Sequence, residues 1–594
     1  MFTPGPEIYQ FGQFTFDASE RRLSKGSQPI ALAPKEHNVL CALLRNAGRL
    51  VTKSELLRLV WPESFVEEGI LAVHISALRK VLDDRQGGLR HIETVSRAGY
   101  RFIAAVAQRE VDHTRTSGKQ SSIAVLPARA FTAEILSGRD RSTGLTITDV
   151  LIDRLGRFPQ LIVRPTRAVH GYSASADDPA AIGRWLRVEA VIDMRFLGLA
   201  DRVRLAVHLI RSLDGANLWS GTFDEPAAQI IVVADQVAER VLEHLGSNPP
   251  ASESAPPPRD TNDALRPASY AEVYELIGRG RHHLLSASIH ELPKAMDAFR
   301  AATELDPGYA PAHAGMAMTC CAQAALRMLP PGQAYSEAKS AALRALAMDF
   351  SCADAQVALG AVLYWGEWNW AGAERSLKRA LQLNPNHSEG YLLYGQLLET
   401  LGRLEEGLQT KLRALERDPH SPMVHLQISL SYWNQRRYDD VIEWANRTLA
   451  LDPLHPHAGE YLAGAYWKKG DADRFLEQNL KHAGLHGVPR ELLEQLKQTF
   501  SAEGPAGMRE LALARASSEP QALPPMQLAL LYGRAGDLDK AFEILAQAID
   551  AHDPTLVHLA VAPQWDMLRG DPRFTHCLAQ MGLAREPTMA TPSS

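Results

Sequence analysis

The sequence predicts a multidomain α+β chain, and three changes of pattern along its 594 residues predict it. Near the N-terminus a helix-period apolar run gives way to two β-prone runs around a glycine turn. Between Ser122 and Leu245 strand-like runs alternate with helix-like runs, which implies an α/β layer. Beyond a Pro/Ser-rich stretch at 247–266 the pattern is helical and recurs with a period near 34 residues.

Composition bounds the reading without deciding it. The chain is 45% hydrophobic and 22% charged, as ordinary globular proteins are. Its formal net charge is −6, yet residues 1–107 hold 14 Lys and Arg against 11 Asp and Glu. A basic end on an acidic chain agrees with nucleic-acid binding there. The cysteines Cys41, Cys320, Cys321, Cys352 and Cys577 form no CxxC pair, so small buried thiols in a reducing cytosol are expected, with no metal site. No apolar run reaches the roughly 18 residues of a membrane span. The opening MFTPGPEIYQFGQ lacks the basic and apolar regions of a signal peptide, and the stretch 108–121 is polar. A cytoplasmic protein without membrane contact is expected.

In chain order, residues 8–32 alternate in strand fashion through Tyr9, Phe11, Phe14, Phe16, Leu23, Ile30 and Leu32. A helix is expected from Pro34 to a stop near Gly48. Thr52 with Glu55 three residues on is a capping box opening a second helix, which ends by Pro62. A third helix presents Leu71, Ile75, Leu78 and Leu82 on one face, and Val73, His74, Ser76, Ala77, Arg79 and Lys80 on the other. His91 to Val95 and Tyr100 to Val106 then flank Ser96-Arg97-Ala98-Gly99, a hairpin signal. Such a helix fits a major groove, where Val73, Ser76 and Ala77 let its backbone approach the bases. Arg79, Lys80, Arg97 and Arg101 are candidates for phosphates. A solvated helix beside an ordinary surface hairpin reads the same periodicity equally well.

The run VTKSELLRLVWPESFVEEGILAVHISALRKVL followed by HIETVSRAGYRF resembles the OmpR/PhoB-type winged-helix DNA-binding domain, in the form found in one-component regulators without a receiver domain. The resemblance spans residues 8–107. It implies that Ala72 to Lys80 is the recognition helix and Thr94 to Arg101 the wing, with Thr94, Ser96, Arg97, Tyr100 and Arg101 facing double-stranded DNA. It also implies that the loop Trp61 to Glu68 can touch RNA polymerase. The chain departs from the family at Ser76, Ala77 and Ser96, where relatives often carry Arg, and at Ile70 and Ala72. Fewer direct bonds to DNA follow, and binding as two or more copies on repeated half-sites is expected.

In the middle region SIAVLP and LIVRP read as strands, and Leu145 to Leu155 and Ala180 to Leu186 as helices. AVIDMRFLG and RVRLAVHLI read as an antiparallel pair, and Ile231 to Leu245 as a closing helix. The segments IAVLP, GLTITDVLIDRL and RVRLAVHLIRSLDGANLWSGTFD resemble a TolB-like α/β domain, over residues 122–246. No phosphate-binding glycine motif occurs there, so a structural or interaction role is favoured over a ligand pocket.

In the last half, Asp306-Pro307, Asp349-Phe350, Asn384-Pro385, Asp418-Pro419 and Asp452-Pro453 close apolar helices. That period reads as tetratricopeptide repeats over residues 267–583, an all-α superhelix. Small residues mark close helix approach: Ala295 and Ala302, Ala361, Ala373 and Ala380, Gly395 and Ala414, then Ala529, Ala541 and Ala548. The register blurs between Gly470 and Pro525. A groove for a protein or peptide partner is expected. The many aromatics, Tyr364 to Trp467, are expected mainly in packing between helices.

No HExxH, GxSxG, EF-hand or Walker motif occurs, and His282-His283 stand without matched ligands. The expected protein is a DNA-binding regulator, not an enzyme, with no cofactor and no metal. Two alternatives stay open: an interaction scaffold with weak DNA binding, and a small-ligand or nucleotide sensor housed in residues 122–245.

Overall fold

The computed structural model describes residues 8–11, 14–17, 22–25, 28–30, 32, 34–45, 47–60, 69–82, 91–95, 98–104, 107–109, 120–130, 138–169, 172, 178–198, 202–226, 230–245, 270–286, 288–455, 457–485, 487–518 and 524–584. The chain divides into two units, residues 1–118 and 119–594.

In the first unit, β1 (Ile8–Phe11), β2 (Phe14–Asp17), β3 (Arg22–Lys25) and β4 (Gln28–Ile30) form an antiparallel meander. Tyr9, Phe11, Phe14, Phe16 and Leu23, the alternate residues, are buried. A further strand, β8 (Ala107–Arg109), pairs with β1 and sets the order β4-β3-β2-β1-β8. The connecting stretch expected from residue 108 therefore begins later. Gln108 and Arg109 lie opposite Tyr9 and Ile8, where they pair an edge whose backbone groups would otherwise face solvent.

The meander covers α1 (Pro34–Arg45), α2 (Lys53–Val60) and α3 (Gly69–Val81), with a small sheet of β5 (Leu50–Thr52), β7 (Gly99–Phe102) and β6 (Ile92–Val95) in that order. The capping box forms as expected: Thr52 N–H donates to Glu55 Oε2 at 2.9 Å and Glu55 N–H to Thr52 Oγ1 at 3.3 Å. Phe11 meets Phe102 edge-on at 5.0 Å, so meander and hairpin share one core.

The second unit opens on a mixed sheet. β9 (Ser121–Val125) lies parallel to β11 (Leu161–Val163) and to β12 (Ala190–Gly198), and the short β10 (Arg129–Ala130) also pairs with β12. β12, β13 (Arg202–Arg211) and β14 (Asn217–Pro226) run antiparallel, and the expected pair is in register from Ala190↔Arg211 to Gly198↔Val203. The accompanying helices are α4 (Gly138–Gly156), α5 (Thr166–Val169), α6 (Pro179–Trp185) and α7 (Ile230–His244).

The helical array follows as α8 (Tyr270–Ser286), α9 (Leu292–Leu305), α10 (Ala310–Ala325), α11 (Pro331–Met348) and α12 (Ala353–Ala361), which runs into a π turn over Val362–Gly366. Then come α13 (Trp370–Leu383), α14 (Ser388–Thr400), α15 (Leu404–Arg417), α16 (Pro422–Asn434), α17 (Tyr438–Leu451), α18 (Ala458–Lys468) and α19 (Ala472–Leu485). Helices α9, α11, α13, α15 and α17 end at the Asp or Asn positions expected to close them. Where the register blurred, α20 (Arg490–Ser518) bends at Gly504, held at φ +66° before Pro505. The chain closes with α21 (Pro525–Ala535), α22 (Leu538–Asp550), 3₁₀ turns at Pro554–His558 and Pro563–Leu568, and α23 (Pro572–Gln580).

Sheet and array share a core. Ile123, Leu161 and Val237 belong to the same apolar cluster as Val273, Ile277 and Phe299. Phe299 fits between α8 and α10 because Gly280 and Gly315 face it; a Cβ there would come within 2.6 Å and 2.4 Å of the ring. Asn386, in the turn before α14, completes the edge of β11: its Nδ2 donates to Gly156 O and Leu161 O, and its Oδ1 accepts from Val163 N–H at 2.9 Å. Arg164, after β11, donates to the carbonyls of Leu186, Arg187, Glu416 and Arg417. Beyond the C-terminal ends of parallel strands an open α/β sheet usually holds its ligand. Here Arg164 and Arg167, at the end of β11, grip the α15–α16 turn instead. The Pro/Ser-rich stretch 247–266 lies outside the described residues.

All five cysteines are buried. Of the aromatics, Tyr364, Trp368, Trp370, Tyr391, Trp433 and Trp444 are buried, while Trp467 is 43% exposed. Among the described residues no helix is long and apolar enough to cross a membrane, and no His, Cys, Asp and Glu group has the geometry to hold a metal.

Candidate nucleic-acid interface

Helix α3 divides as its sequence requires. Leu71, Ile75, Leu78 and Leu82 are almost fully buried against α1 and the hairpin. On the opposite side Val73, Ser76 and Lys80 recur at i, i+3 and i+7 and are all exposed, Val73 to 66%. Ala72 is exposed beside them, and His74 and Ala77 are half-buried at the flanks. At 66% exposure Val73 adds nothing to the core, and the side chains beside it are small. The stripe is narrow and has a cation at its C-terminal end, where Lys80 also faces the negative end of the helix dipole.

Arg79 is placed differently from the free phosphate ligand expected of it. Its Nη2 donates to Ile92 O at 2.9 Å and to Thr94 Oγ1 at 2.8 Å, clamping α3 to β6. The signal for this was available: Arg79 stands four residues after Ile75, on the margin of the buried face. Arg101 is paired with Glu93 at 3.2 Å across the hairpin, so its charge is partly offset. Tyr100 is 6% exposed and contributes its ring to the core, away from the surface expected for it. Thr94 is exposed. Ser96, Arg97 and the loop Trp61 to Glu68 lie outside the described residues.

The hairpin's position is fixed by Gly99. It lies opposite Thr52 where β7 crosses β5, and a Cβ on it would stand 2.1 Å from Val51 O. Only glycine allows the wing strand to approach the start of α2 so closely. The arrangement therefore brings together an exposed helix stripe and an exposed hairpin residue, tied by Arg79.

This geometry has counterparts among known proteins. A family model described as "Transcriptional regulatory protein, C terminal" matches residues 27–102, and two tetratricopeptide repeat models match residues 364–430 and 426–485. The chain is 34% identical over 101 residues to the KDP operon transcriptional regulatory protein KdpE of Escherichia coli, covering 17% of this chain and 44% of that protein. It is 24% identical over 420 residues to the transcriptional regulator HilA of Salmonella typhi, covering 67% of this chain and 68% of that protein. Over 197 residues it is 26% identical to a putative adenylate cyclase 3 of Rhizobium meliloti, covering 33% of this chain and 32% of that protein. The chain thus spans less than half the length of KdpE. It carries an OmpR/PhoB-type DNA-binding domain at its N-terminal end and tetratricopeptide repeats in its C-terminal half.

Proposed function

We propose that this protein is a DNA-binding transcriptional regulator. Its α3 stripe of Val73, Ser76 and Lys80 would enter the major groove of promoter DNA, with the hairpin from Thr94 to Arg101 beside it. The observation that carries this reading is the exposed stripe on α3 of a domain that matches a regulator family. Arg97 and Lys80 would meet phosphates, and the loop Trp61 to Glu68 would face RNA polymerase.

Residues 122–246 are read as a TolB-like layer with a structural role, supported by the grip of Arg164, Arg167 and Asn386 on both layer and array. The repeats would take a protein partner. The reading assigns no catalysis to the chain, and the extended likeness to a transcriptional regulator supports that.

In vitro selection of genomic fragments by the full chain, followed by salt titration, tests the proposal. A selected site bound with affinity falling log-linearly in salt is the expected result. Full-length protein with no preference over random duplex would overturn it and leave an interaction scaffold.

A further inference from the structure

A later segment of the chain packs back along the repeat array. Residues 552–568 run past the ends of successive helices. Asp553 pairs with Arg327, just after α10, at 2.9 Å, and His552 stacks on Trp368, just after the π turn, at 4.5 Å. Gln564 accepts from Trp433 Nε1 on α16 at 2.8 Å, Asp566 pairs with Arg436 at 2.7 Å, and Lys468 on α18 reaches Pro563 O at 3.5 Å. Leu556, Val557, Leu559 and Trp565 are buried in one core with α10, α12 and α14.

One group in this segment is ill-suited to its place. His558 Nδ1 is sealed from solvent without a hydrogen-bond partner. The charge that acts on it is Lys411 on α15, which is itself fully buried. Glu399 on α14 does not offset a second cation there, because it already accepts from Lys411 Nζ at 2.9 Å, from Asn434 Nδ2 at 3.1 Å and from Ser431 Oγ. Tyr364 in the π turn spends its hydroxyl on Thr400 at 2.9 Å. The other charges along the segment, Asp553 and Asp566, face Arg327, Arg436 and Arg569. A neutral imidazole fits this site; an imidazolium would point an N–H at no acceptor and add charge beside Lys411.

We infer that residues 552–568 are an acid-released latch on the array, with His558 as its trigger. Closed, the segment requires His558 neutral, and burial with Lys411 nearby pushes its imidazole well below the ordinary value. Open, the same imidazole is free to protonate near its ordinary value of about 6.5. Lowering the pH below that value favours the open state, by up to about tenfold per pH unit. Opening frees Arg327, Arg436 and the Trp433 indole. On the reading that the repeats take a protein partner, the latch governs access to that face; its test does not depend on that reading.

Hydrogen exchange on the full-length protein at pH 7.5 and 5.5, corrected for intrinsic rates, reads the latch directly. The opening equilibrium of residues 554–568 rises about tenfold across that interval, while α13 and α15 stay protected. His558→Leu, which cannot titrate, abolishes the rise; His558→Gln replaces it if the leucine variant misfolds. A segment equally protected at both pH values overturns the inference, as does a rise that persists in the variants, which would place the response at His552 or elsewhere. Neither result bears on DNA binding, so the proposed function stands or falls separately.

Discussion

Arg79 on α3 donates to Thr94 Oγ1 on β6 at 2.8 Å, and the same nitrogen reaches Ile92 O at 2.9 Å. Helix and hairpin, the two parts of the proposed DNA interface, are therefore held in register by one guanidinium. Arg79→Ala should weaken binding to every sequence alike and cost about 1–2 kcal/mol of stability in the first unit. The slope of log affinity against log salt should stay unchanged, because a clamp neutralises no phosphate. A slope shallower by about one would mean that Arg79 leaves Thr94 for the DNA backbone.

Lys80 makes the opposite prediction. It is exposed at the end of the stripe, so Lys80→Ala should reduce the salt slope by about one with stability within about 0.5 kcal/mol of the parent. Val73→Glu, at an exposed position of the stripe, should abolish site-specific binding with an unchanged melting temperature, since it sets a carboxylate against the groove. Normal binding by Val73→Glu would remove this face of α3 from the interface.

Much of this organisation was legible in the residues themselves. The 3.6-residue period from Leu71 to Leu82 marks the buried side of α3, and the Thr52–Glu55 spacing marks the start of α2, because both depend on neighbours within one or two turns. Four Asp-Pro or Asn-Pro closures and Asp349-Phe350 located five helix ends for the same reason. Contacts between residues far apart in sequence were not legible. The place of Arg79 on the margin of the buried face signals an inward contact without naming Thr94 as the partner, and Tyr100 reads as a surface wing residue until the meander covers it. The Pro/Ser-rich stretch suggested separate middle and repeat layers, whereas Phe299 and Asn386 join them through contacts that span up to 230 residues. The closing segment at 552–568 was hidden likewise, since its anchors lie on helices distributed along the array.

Asn386 offers a sharp test of that joint. Its side chain satisfies two carbonyls and one N–H at the edge of β11, acting as a short strand would. Asn386→Ala leaves all three without partners in a buried seam, a loss of about 3 kcal/mol. Hydrogen exchange should show Leu161–Val163 losing protection first. Asn386→Asp should be no milder, because a carboxylate cannot donate to Gly156 and Leu161. Retained protection at β11 in both variants would show that the apolar core and the Arg164 and Arg167 contacts hold layer and array together without Asn386.

Asp354 supplies the acid-side prediction for the second unit. Burial by itself would raise its carboxyl, but Arg281 at 2.7 Å and His387 at 3.1 Å outweigh burial and hold it below the usual carboxylate range. A carboxylate depressed in the folded state adds stability that is present above its unfolded value, near 3.9, and is lost as pH falls through the folded value. His387 uses its other nitrogen to accept from Gly390 N–H at the start of α14, so the pair also fixes that helix end. Asp354→Asn should therefore lower the melting temperature at neutral pH and flatten its decline below about pH 4. The acid response of the latch, which lies between about pH 7.5 and 5.5, should persist in this variant, because Asp354 on α12 and His558 in its 3₁₀ turn titrate in separate windows. Equal acid sensitivity of the parent and Asp354→Asn below pH 4 would show that the Arg281 pair contributes nothing to folding.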